Sequence, residues 1–451
     1  MHSLNSTISV AKKSILFTLL VISYAFANAQ ENSPYSRYGM GDLVPTQNIT
    51  SRAMGGITAG FVDLSFSQTL NLSNPASLGN MSSTSFDFGV ELDRRVLKSN
   101  TNPDKYISKN AIISYMLLGF PVTPKSLAKK GYSWGVAFGL RPATRVNYKI
   151  IANRRIVGID SVNSLYEGSG GINQANFSTG IKYKNFSFGI NTGYSFGNRD
   201  ISTKLGFIND TTSQYYQQSN SLKEVTFGGI YLSLGTQYNI ALKNKGLLRI
   251  GVSANLQQNL TATQNITDET FGYDGSGIPR QIDSVRKINN QAGIIKLPAS
   301  YNVGFTYTDK KANWLIGADV DFTAWNQYRY YGASDAVEDN FKLHVGAQYY
   351  PAKEGINKYF NFVKYRAGLY YGSDYIKLGN SSRPDYGFTM GLGLPLTTFQ
   401  RLRYGDFAIL NAGLEIGERG NKNNVSIREG VTRFNFGVTV SAAWFQKRKY
   451  D

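Results

Sequence analysis

The sequence predicts an all-β fold: a transmembrane antiparallel β-barrel of about 14 strands with an N-terminal hatch in the lumen. Two observations predict it. Apolar and polar residues alternate with a period of two in one short stretch after another, as in residues 230–240. The connections between these stretches alternate between short and long. Period-two alternation gives a strand one apolar and one polar face, and a closed barrel can turn its apolar faces toward lipid.

A soluble β-sandwich would show the same alternation. The compartment to which the protein is exported therefore decides between a sandwich and a membrane barrel. Two lysines precede an apolar stretch at residues 15–26, and Ala27-Asn28-Ala29 follows it. This order is typical of a secretory signal peptide, predicted at residues 1–29 with cleavage near Ala29 and Gln30. The stretch is too short to span a bilayer as a helix, which needs about 20 apolar residues. We therefore expect a multi-pass protein of the cell outer membrane.

The composition agrees with a membrane barrel. The chain has 30 Tyr, 26 Phe, 4 Trp and 46 Gly in 451 residues, with a mean hydropathy of −0.28. Aromatic rings favour membrane interfaces, glycine suits crowded strands, and only half of each barrel strand faces lipid. The absence of cysteine excludes a lipidated N-terminal Cys, disulfides and thiolate metal sites.

The individual strands are predicted from where each alternating stretch begins. The short connections are residues 184–185, 242–246 and 309–313, which we expect at the periplasmic side, and the long ones are expected outside. These boundaries assign residues 30–82 to the hatch and 83–451 to the barrel. The long connections are residues 151–172, 205–221 and 271–297. The predicted strands begin near Thr84, Ala111, Tyr132, Asn173, Phe186, Leu222, Leu247, Pro298, Trp314, Phe341, Lys364, Tyr386, Phe407 and Thr432.

The net charge of +18 raises the question of nucleic-acid binding. The secretory signal argues against that partner, and many cations cluster at the predicted periplasmic ends, such as Lys125, Lys129 and Lys130. A basic rim facing phospholipid head groups is the simpler interpretation, so outer-membrane lipids are the expected partners.

Charged residues inside the strands fall mostly on the face opposite the apolar residues. A charge on the lipid face near the midplane costs about 2–4 kcal/mol, so these side chains are expected to face the lumen. Most of them are expected to be ion-pair partners that hold the barrel or its hatch. The set is Asp87, Glu91, Arg141, Arg249, Asp319, Asp321, Arg366 and Glu415.

Residues 30–82 are rich in Gly and Pro and do not alternate. They could form a flexible periplasmic arm or a folded hatch. Their scattered apolar residues favour packing inside a barrel wide enough to leave a cavity. These apolar residues are Met54, Ile57, Phe61, Leu64, Phe66, Leu70 and Leu72.

Two short motifs in this region resemble the hatch of the outer-membrane long-chain fatty acid transporters. They are Arg52-Ala53-Met54-Gly55-Gly56 and Asn74-Pro75-Ala76, from which we take Arg52, Gly55, Gly56, Asn74, Pro75 and Ala76 as the hatch motif. The opening at residues 33–39 and the closing residues 444–450 are similar to a Bacteroidetes branch of that family. The family's ligand-contacting residues have no matching motif in this chain.

The resemblance implies passive uptake of hydrophobic small molecules, fatty acid-like or aromatic, past the hatch and laterally through the wall. Residues 112–118 break the alternation and put Ile113, Tyr115 and Leu117 inward, which predicts either an apolar ligand cavity or packing against the hatch. The branch also contains barrels without a transport role, including one that serves type IX secretion. The second hypothesis is therefore a non-transporting partner barrel of a secretion or protein-assembly complex, with residues 122–131 and 359–363 as candidate contact surfaces.

The sequence offers no convincing catalytic or cofactor site, so we expect no enzyme and no cofactor. The two histidines are His2, in the signal peptide, and His344, predicted on a lumenal face with a hydrogen-bonding role. Residues 168–171 lack the Lys-Ser/Thr of a phosphate loop. Asp319 and Asp321 are two apart on one strand, which is more typical of a wall of ion pairs than of an acid–base pair.

Overall fold

The computed structural model describes residues 33–63, 68–99, 104–157, 160–207, 216–243, 245–276, 278–351, 359–378, 383–397, 407–420 and 427–442. The predicted signal peptide, Leu64, Phe66 and the closing motif at 444–450 lie outside them. The strands of the described part are β1 (Asp42–Leu43), β2 (Thr84–Lys98), β3 (Lys105–Pro121), β4 (Tyr132–Pro142), β5 (Thr144–Ile156), β6 (Asp160–Tyr183), β7 (Phe186–Phe207), β8 (Gln218–Ala241), β9 (Leu247–Asn255), β10 (Gln258–Tyr273), β11 (Pro279–Leu297), β12 (Ser300–Thr308), β13 (Trp314–Thr323), β14 (Arg329–Tyr330), β15 (Asn340–Tyr349), β16 (Lys364–Ser373), β17 (Pro384–Pro395), β18 (Phe407–Arg419) and β19 (Arg428–Ala442).

The strands form a closed antiparallel barrel of 14 wall strands. Three wall strands are interrupted and consist of β4 with β5, β9 with β10, and β11 with β12. The two-residue strands β1 and β14 are additions to the edges of β5 and β11. The last strand, β19, pairs with β2 along its length and closes the cylinder. The predicted all-β barrel of about 14 strands is thereby confirmed.

Half of the predicted strand starts coincide with the observed ones. The prediction that the three long outer connections are loops was wrong. Most of the described residues in 151–172, 205–221 and 271–297 continue the wall strands outward, so that β6 and β8 reach 24 residues each. Outside the membrane both faces of a strand meet water, so the apolar half of the alternation disappears although the ladder of hydrogen bonds continues. The coinciding starts are Thr84, Tyr132, Phe186, Leu247, Trp314, Lys364 and Phe407.

The outward faces of the strands carry the apolar residues. In β8 the side chain of Ile230 is 73% exposed, whereas that of Tyr231, its neighbour in the chain, is 3% exposed. Exposed aromatic residues lie at both ends of this apolar band, where rings suit the membrane interfaces. No helix of the described residues has the length and apolar character to cross a bilayer. The exposed aromatics at the short-turn end include Tyr183, Phe186, Tyr238, Trp314 and Tyr349, and those further out include Tyr194, Phe196, Tyr301, Phe322 and Phe341.

The core of the molecule lies on the inner face of the wall, where residues 33–83 (the N-terminal segment) are packed. Its apolar residues Met54, Ile57, Phe61, Leu70 and Leu72 are all buried. The helices of the described part are short: α1 (Ile49–Arg52), α2 (Lys125–Lys129) and the 3₁₀ turns Pro34–Arg37, Pro75–Asn80, Trp325–Gln327 and Tyr359–Phe362.

Three apolar clusters join the N-terminal segment to the wall and the outer loops. One packs Met54, Ile57 and Phe61 against Leu315. A second joins Ile49, Leu70, Leu72, Leu78 and Met81 to Tyr115, Leu117 and Ala137. The third lies toward the outer loops and contains Tyr35, Met40, Ile172, Val225, Phe227, Leu260, Ala262, Ile295, Trp325, Tyr328, Val337, Tyr375 and Ile376.

Candidate functional site

The wall has a gap between β3 and β5. The periplasmic part of β3 pairs with β4 over residues 116–121, but beyond Met116 the described pairings of β3 are with β2 alone. Where β3 and β2 pair, Ser114 forms a bulge that shifts the register by one residue. The break predicted at residues 112–118 therefore falls at the gap, although Ile113 is exposed rather than inward because the bulge reverses its direction.

The strand β1 of the N-terminal segment covers part of this gap. It adds to the free edge of β5, with Asp42 opposite Arg145 and Leu43 opposite Thr144. The Thr144 hydroxyl donates to the carbonyl of Met40 at 2.7 Å, which fixes the entry of β1. An unpaired strand edge readily accepts another strand, so β1 satisfies backbone groups that the gap would leave open.

Arg52, at the end of α1, joins the N-terminal segment to two wall strands. Its guanidinium lies 2.5 Å from Glu91 of β2 and 3.2 Å from Glu415 of β18, and Arg433 contacts the same two carboxylates. The Arg52 side chain is 4% exposed. Burial alone would lower the pKa of Arg52, but the carboxylates of Glu91 and Glu415 outweigh it and raise that pKa. Arg52 is therefore held charged inside the barrel.

A second ion-pair network holds the start of the segment. Asp42 lies 2.5 Å from Arg95 and 2.8 Å from Arg419, and Arg419 also contacts Asp374 at 2.5 Å. Burial would raise the pKa of Asp42, but the guanidiniums of Arg95 and Arg419 overcome it and hold that pKa well below its usual range. Arg383 stacks 3.6 Å above the ring of Tyr35.

Two of the predicted lumenal carboxylates accept backbone N–H groups of the N-terminal segment instead of forming ion pairs. Asp319 accepts from Thr58 and Ala59 at 2.5 and 2.7 Å, and Asp87 accepts from Leu70 at 3.3 Å. A buried carboxylate needs such donors in the absence of a cation. They therefore fix the irregular backbone of the segment to β13 and β2.

Asp321 and His344 contact each other, and His344 also contacts the N-terminal segment. Asp321 lies 2.9 Å from Nε2 of His344, whose Nδ1 is 2.5 Å from the carbonyl oxygen of Gly55. The predicted lumenal hydrogen-bonding role of His344 matches these contacts.

The three arginines predicted to face the lumen donate hydrogen bonds to the side-chain amides of Asn and Gln. The prediction that they form ion pairs is therefore wrong. Arg249 donates to Asn239 at 2.7 Å, Arg366 to Gln348 and Asn411, each at 2.8 Å, and Arg141 to Gln174 at 3.1 Å. Among the described residues none of the three has a carboxylate within 4.0 Å. The sequence places a charge on a face but does not reveal which polar side chain on the neighbouring strand meets it.

A row of paired glycines forms a track for the second half of the hatch motif. Gly135, Gly180, Gly189 and Gly235 lie side by side on β4, β6, β7 and β8. A Cβ at any of them would lie closer than 3.0 Å to residues 74–78. The glycines therefore let Asn74-Pro75-Ala76 lie flat against the wall.

A second glycine row receives the first half of the motif. Gly346 of β15 pairs with Gly368 of β16, and a Cβ on either would lie closer than 3.0 Å to the backbone of Met54 or Gly55. Gly55 itself has a φ of +71° and Gly56 one of +99°, a region that favours glycine. Neither row could be predicted from the sequence, because glycines on different strands align only once the register is known.

Asn74 has side-chain hydrogen bonds to both the motif and the wall. Its side-chain oxygen accepts from the N–H of Ala76, which caps the turn Pro75–Asn80. Its amide donates to the carbonyl of Ala59 at 2.7 Å and to that of Thr236 at 3.2 Å. Asn74 therefore links two parts of the segment to β8.

The N-terminal segment and the wall enclose a cavity of about 380 Å³. More than half of its lining residues are charged or polar, the rest are apolar, and it is bordered by β1. The described residues contain no group of three His, Asp or Glu that could hold a metal ion. The charged residues of the lining are Asp42, Arg52, Arg95, Arg141, Asp321, Lys342, His344, Asp374, Asp385, Glu415, Arg419, Glu429 and Arg433.

A closed 14-stranded barrel with an outward apolar band defines the class of outer-membrane β-barrels, and solved structures share its fold. The toluene transporter TbuX of Ralstonia pickettii is 15% identical, with a TM-score of 0.54 over 88% of this chain and 99% of that one. The toluene transporter TodX of P. putida is 13% identical, with a TM-score of 0.55 over 90% and 100%. A Pseudomonas aeruginosa FadL homologue is 12% identical, with a TM-score of 0.53 over 90% and 100%. The predicted likeness to hydrophobic compound transporters is confirmed for the fold.

The chain belongs to the BamG family, whose family model matches residues 10–451. No curated protein matches the sequence.

Proposed function

We propose that this protein is a non-transporting partner barrel of an outer-membrane protein-assembly complex. The observation that carries the proposal is the network of buried ion pairs that fixes the N-terminal segment inside the barrel. These ion-paired side chains form part of the cavity lining, and the apolar cluster around Trp325 and Tyr328 lies packed on the side of the outer loops. Membership of the BamG family supports the same direction, toward assembly in the outer membrane.

The energetics of the lumen argue against passage of an apolar solute. Such a solute would have to displace water from charged groups without offering them hydrogen bonds. Moving the N-terminal segment aside would separate Arg52 from Glu91 and Glu415, and breaking a buried ion pair costs about 3–5 kcal/mol. An assembly partner, in contrast, needs only the outer surface of the barrel.

The short-turn end carries two candidate contact surfaces. The exposed cations Lys125, Lys129 and Lys130 lie on and beside α2, between β3 and β4. The side chain of Phe360 is 72% exposed in the turn Tyr359–Phe362, between β15 and β16 on the other side of the barrel. Both regions were predicted from the sequence as candidate surfaces. Exposed aromatic residues are typical anchors of protein interfaces.

The proposal predicts recovery of an assembly complex with this chain. We expect a tagged protein, extracted from native membranes in mild detergent, to copurify in stoichiometric amounts with other assembly subunits. Phe360→Ala should reduce that recovery about tenfold if the ring is an interface anchor. Ile230→Ala is the matched control, because Ile230 is equally exposed but faces lipid. A protein that purifies alone in all three forms would contradict the proposal.

A second candidate function, uptake of hydrophobic small molecules, is favoured by the gap between β3 and β5. A ligand that left sideways through the covered part of the gap would require β1 to move away from β5. This candidate differs from the first in needing a mobile β1.

A disulfide between β1 and β5 separates the two candidates. Leu43 and Thr144 are opposite each other, at a Cα separation of about 4.5–5.5 Å that a disulfide can bridge, and the chain has no cysteine of its own. We expect cells with oxidised Leu43→Cys/Thr144→Cys to take up toluene and long-chain fatty acids as the parent does. The control pair is Phe188→Cys/Thr236→Cys. Uptake that falls on oxidation in the first pair only, and returns on reduction, would instead support transport.

A further inference from the structure

Four cations form a ladder on the outward face of β2 and β3. Arg94 lies directly opposite Lys109, and Lys98 lies directly opposite Lys105. Their neighbours Asp93 and Arg95 point inward and are buried, so the side chains of Arg94 and Lys109 project outward and are exposed. Between the two rungs lie Val96 and Ile107, also opposite each other.

The ladder lies just beyond the apolar band, on the side of the long hairpins. The outward residues of β2 from Phe86 to Leu92 are apolar, and Arg94 follows them. Eight residues from Phe86 to Arg94 span about 26 Å along the strand, or about 20 Å along the membrane normal at the usual tilt. The apolar band of such barrels is about 25 Å tall. The first rung therefore lies near the outer edge of the band, and the second, four residues further along β2, lies beyond it at the level of the outer-leaflet head groups.

The ladder lacks counter-charges on the protein. Like charges directly opposite each other destabilise a strand pair. Within the described residues none of the four cations has a carboxylate within 4.0 Å. Arg428 of β19 lies opposite Lys98 and is paired with Glu418 at 3.0 Å. An external anion would remove the repulsion within both rungs.

We propose that this ladder binds the phosphate groups of the glycolipid in the outer leaflet. Two features of the surface match such a lipid: two rungs of cations at and beyond the outer edge of the apolar band, and an apolar strip directly below them on which acyl chains lie. An arginine and a lysine in one rung supply a planar fork and a point charge, both of which suit phosphate oxygens. The strip consists of Phe86, Phe88, Val90, Leu92, Ile113 and Met116.

The test is lipid binding to the purified full-length protein in detergent. Diphosphorylated lipid A, the same lipid without phosphates and inorganic phosphate are titrated separately, and bound lipid is measured by native mass spectrometry. The variant is Arg94→Gln/Lys98→Gln/Lys105→Gln/Lys109→Gln. The control Arg154→Gln/Lys184→Gln/Lys223→Gln/Lys287→Gln removes the same charge from exposed positions elsewhere on the barrel. Heat-modifiable gel mobility establishes that each barrel is folded.

We expect the parent and the control to bind diphosphorylated lipid A and the ladder variant to lose at least about tenfold in affinity. The lipid without phosphates should bind weakly to all three. Equal binding by parent and ladder variant would overturn the proposal, as would equal binding of the lipid without phosphates. Displacement of lipid A by inorganic phosphate at the same phosphate concentration would also overturn it, since the site would then be one for a free anion.

Discussion

Replacing Arg52 with methionine is expected to destabilise the folded barrel by about 3–5 kcal/mol and to loosen the N-terminal segment. The substitution removes the cation between Glu91 and Glu415, which lie buried beside it, and leaves their charge matched by Arg433 alone. The free energy of unfolding is measured by urea titration in detergent. Loosening is measured as cleavage of the segment by protease and as ion conductance in planar bilayers.

The control for Arg52 is Arg154→Met, which removes the same side chain from an exposed position on β5. It should change the free energy of unfolding by less than about 0.5 kcal/mol. Adding Glu415→Gln to Arg52→Met should recover part of the loss, because one unpaired carboxylate disappears. If Arg52→Met behaved like Arg154→Met, the ion pairs would not be what holds the segment.

The fold could be predicted from the sequence where lipid imposes a pattern on the strands. Ile230 is exposed because it faces lipid, and Tyr231 is buried because it faces the lumen. Successive residues of the sequence alternate in the same way. The same rule fails outside the membrane, where both faces of β6 and β8 meet water. The predicted long loops are strands there because backbone pairing continues without a side-chain signal.

The site could be predicted only in part, because pairing partners depend on register. The inward direction of Glu91 and Asp319 follows from alternation, but only the structure reveals that one carboxylate receives a guanidinium and the other two backbone amides. From the sequence, the glycines of the two rows could be recognised only as part of a high glycine content. Their role depends on Gly189 lying beside Gly180 and Gly235 in three separate strands.

The proposed partner role would retain a transporter-like fold without a transport path. The wall gap between β3 and β5 is present here, but β1 pairs with its edge and Asp42 fixes β1 to Arg95 and Arg419. Fold is thus a weak guide to function, and the charges around the segment are the better guide. The docking of the N-terminal segment is therefore the feature to test.

Adding a methyl group to each glycine track is expected to push the N-terminal segment off the wall. In Gly189→Ala/Gly368→Ala the new Cβ atoms would lie closer than 3.0 Å to the backbones of Pro75 and Gly55. Backbone cannot move aside as a flexible side chain can, and overpacking costs about 1–3 kcal/mol per site. The sites lie on different halves of the barrel, so the two effects should add to about 2–6 kcal/mol.

The matched control for the glycine tracks is Gly430→Ala, also within a wall strand, because its Cβ would meet only the carbonyl of Val96 at 3.8 Å. We expect it to keep the parent's protease resistance and conductance, while the track variant gains conductance with its heat-modifiable mobility intact. A track variant that stays closed and resistant would mean that the segment has room to shift along the wall, and that close backbone contact is not what holds it. Increased conductance together with retained copurification of assembly partners would separate closure of the lumen from the proposed partner role.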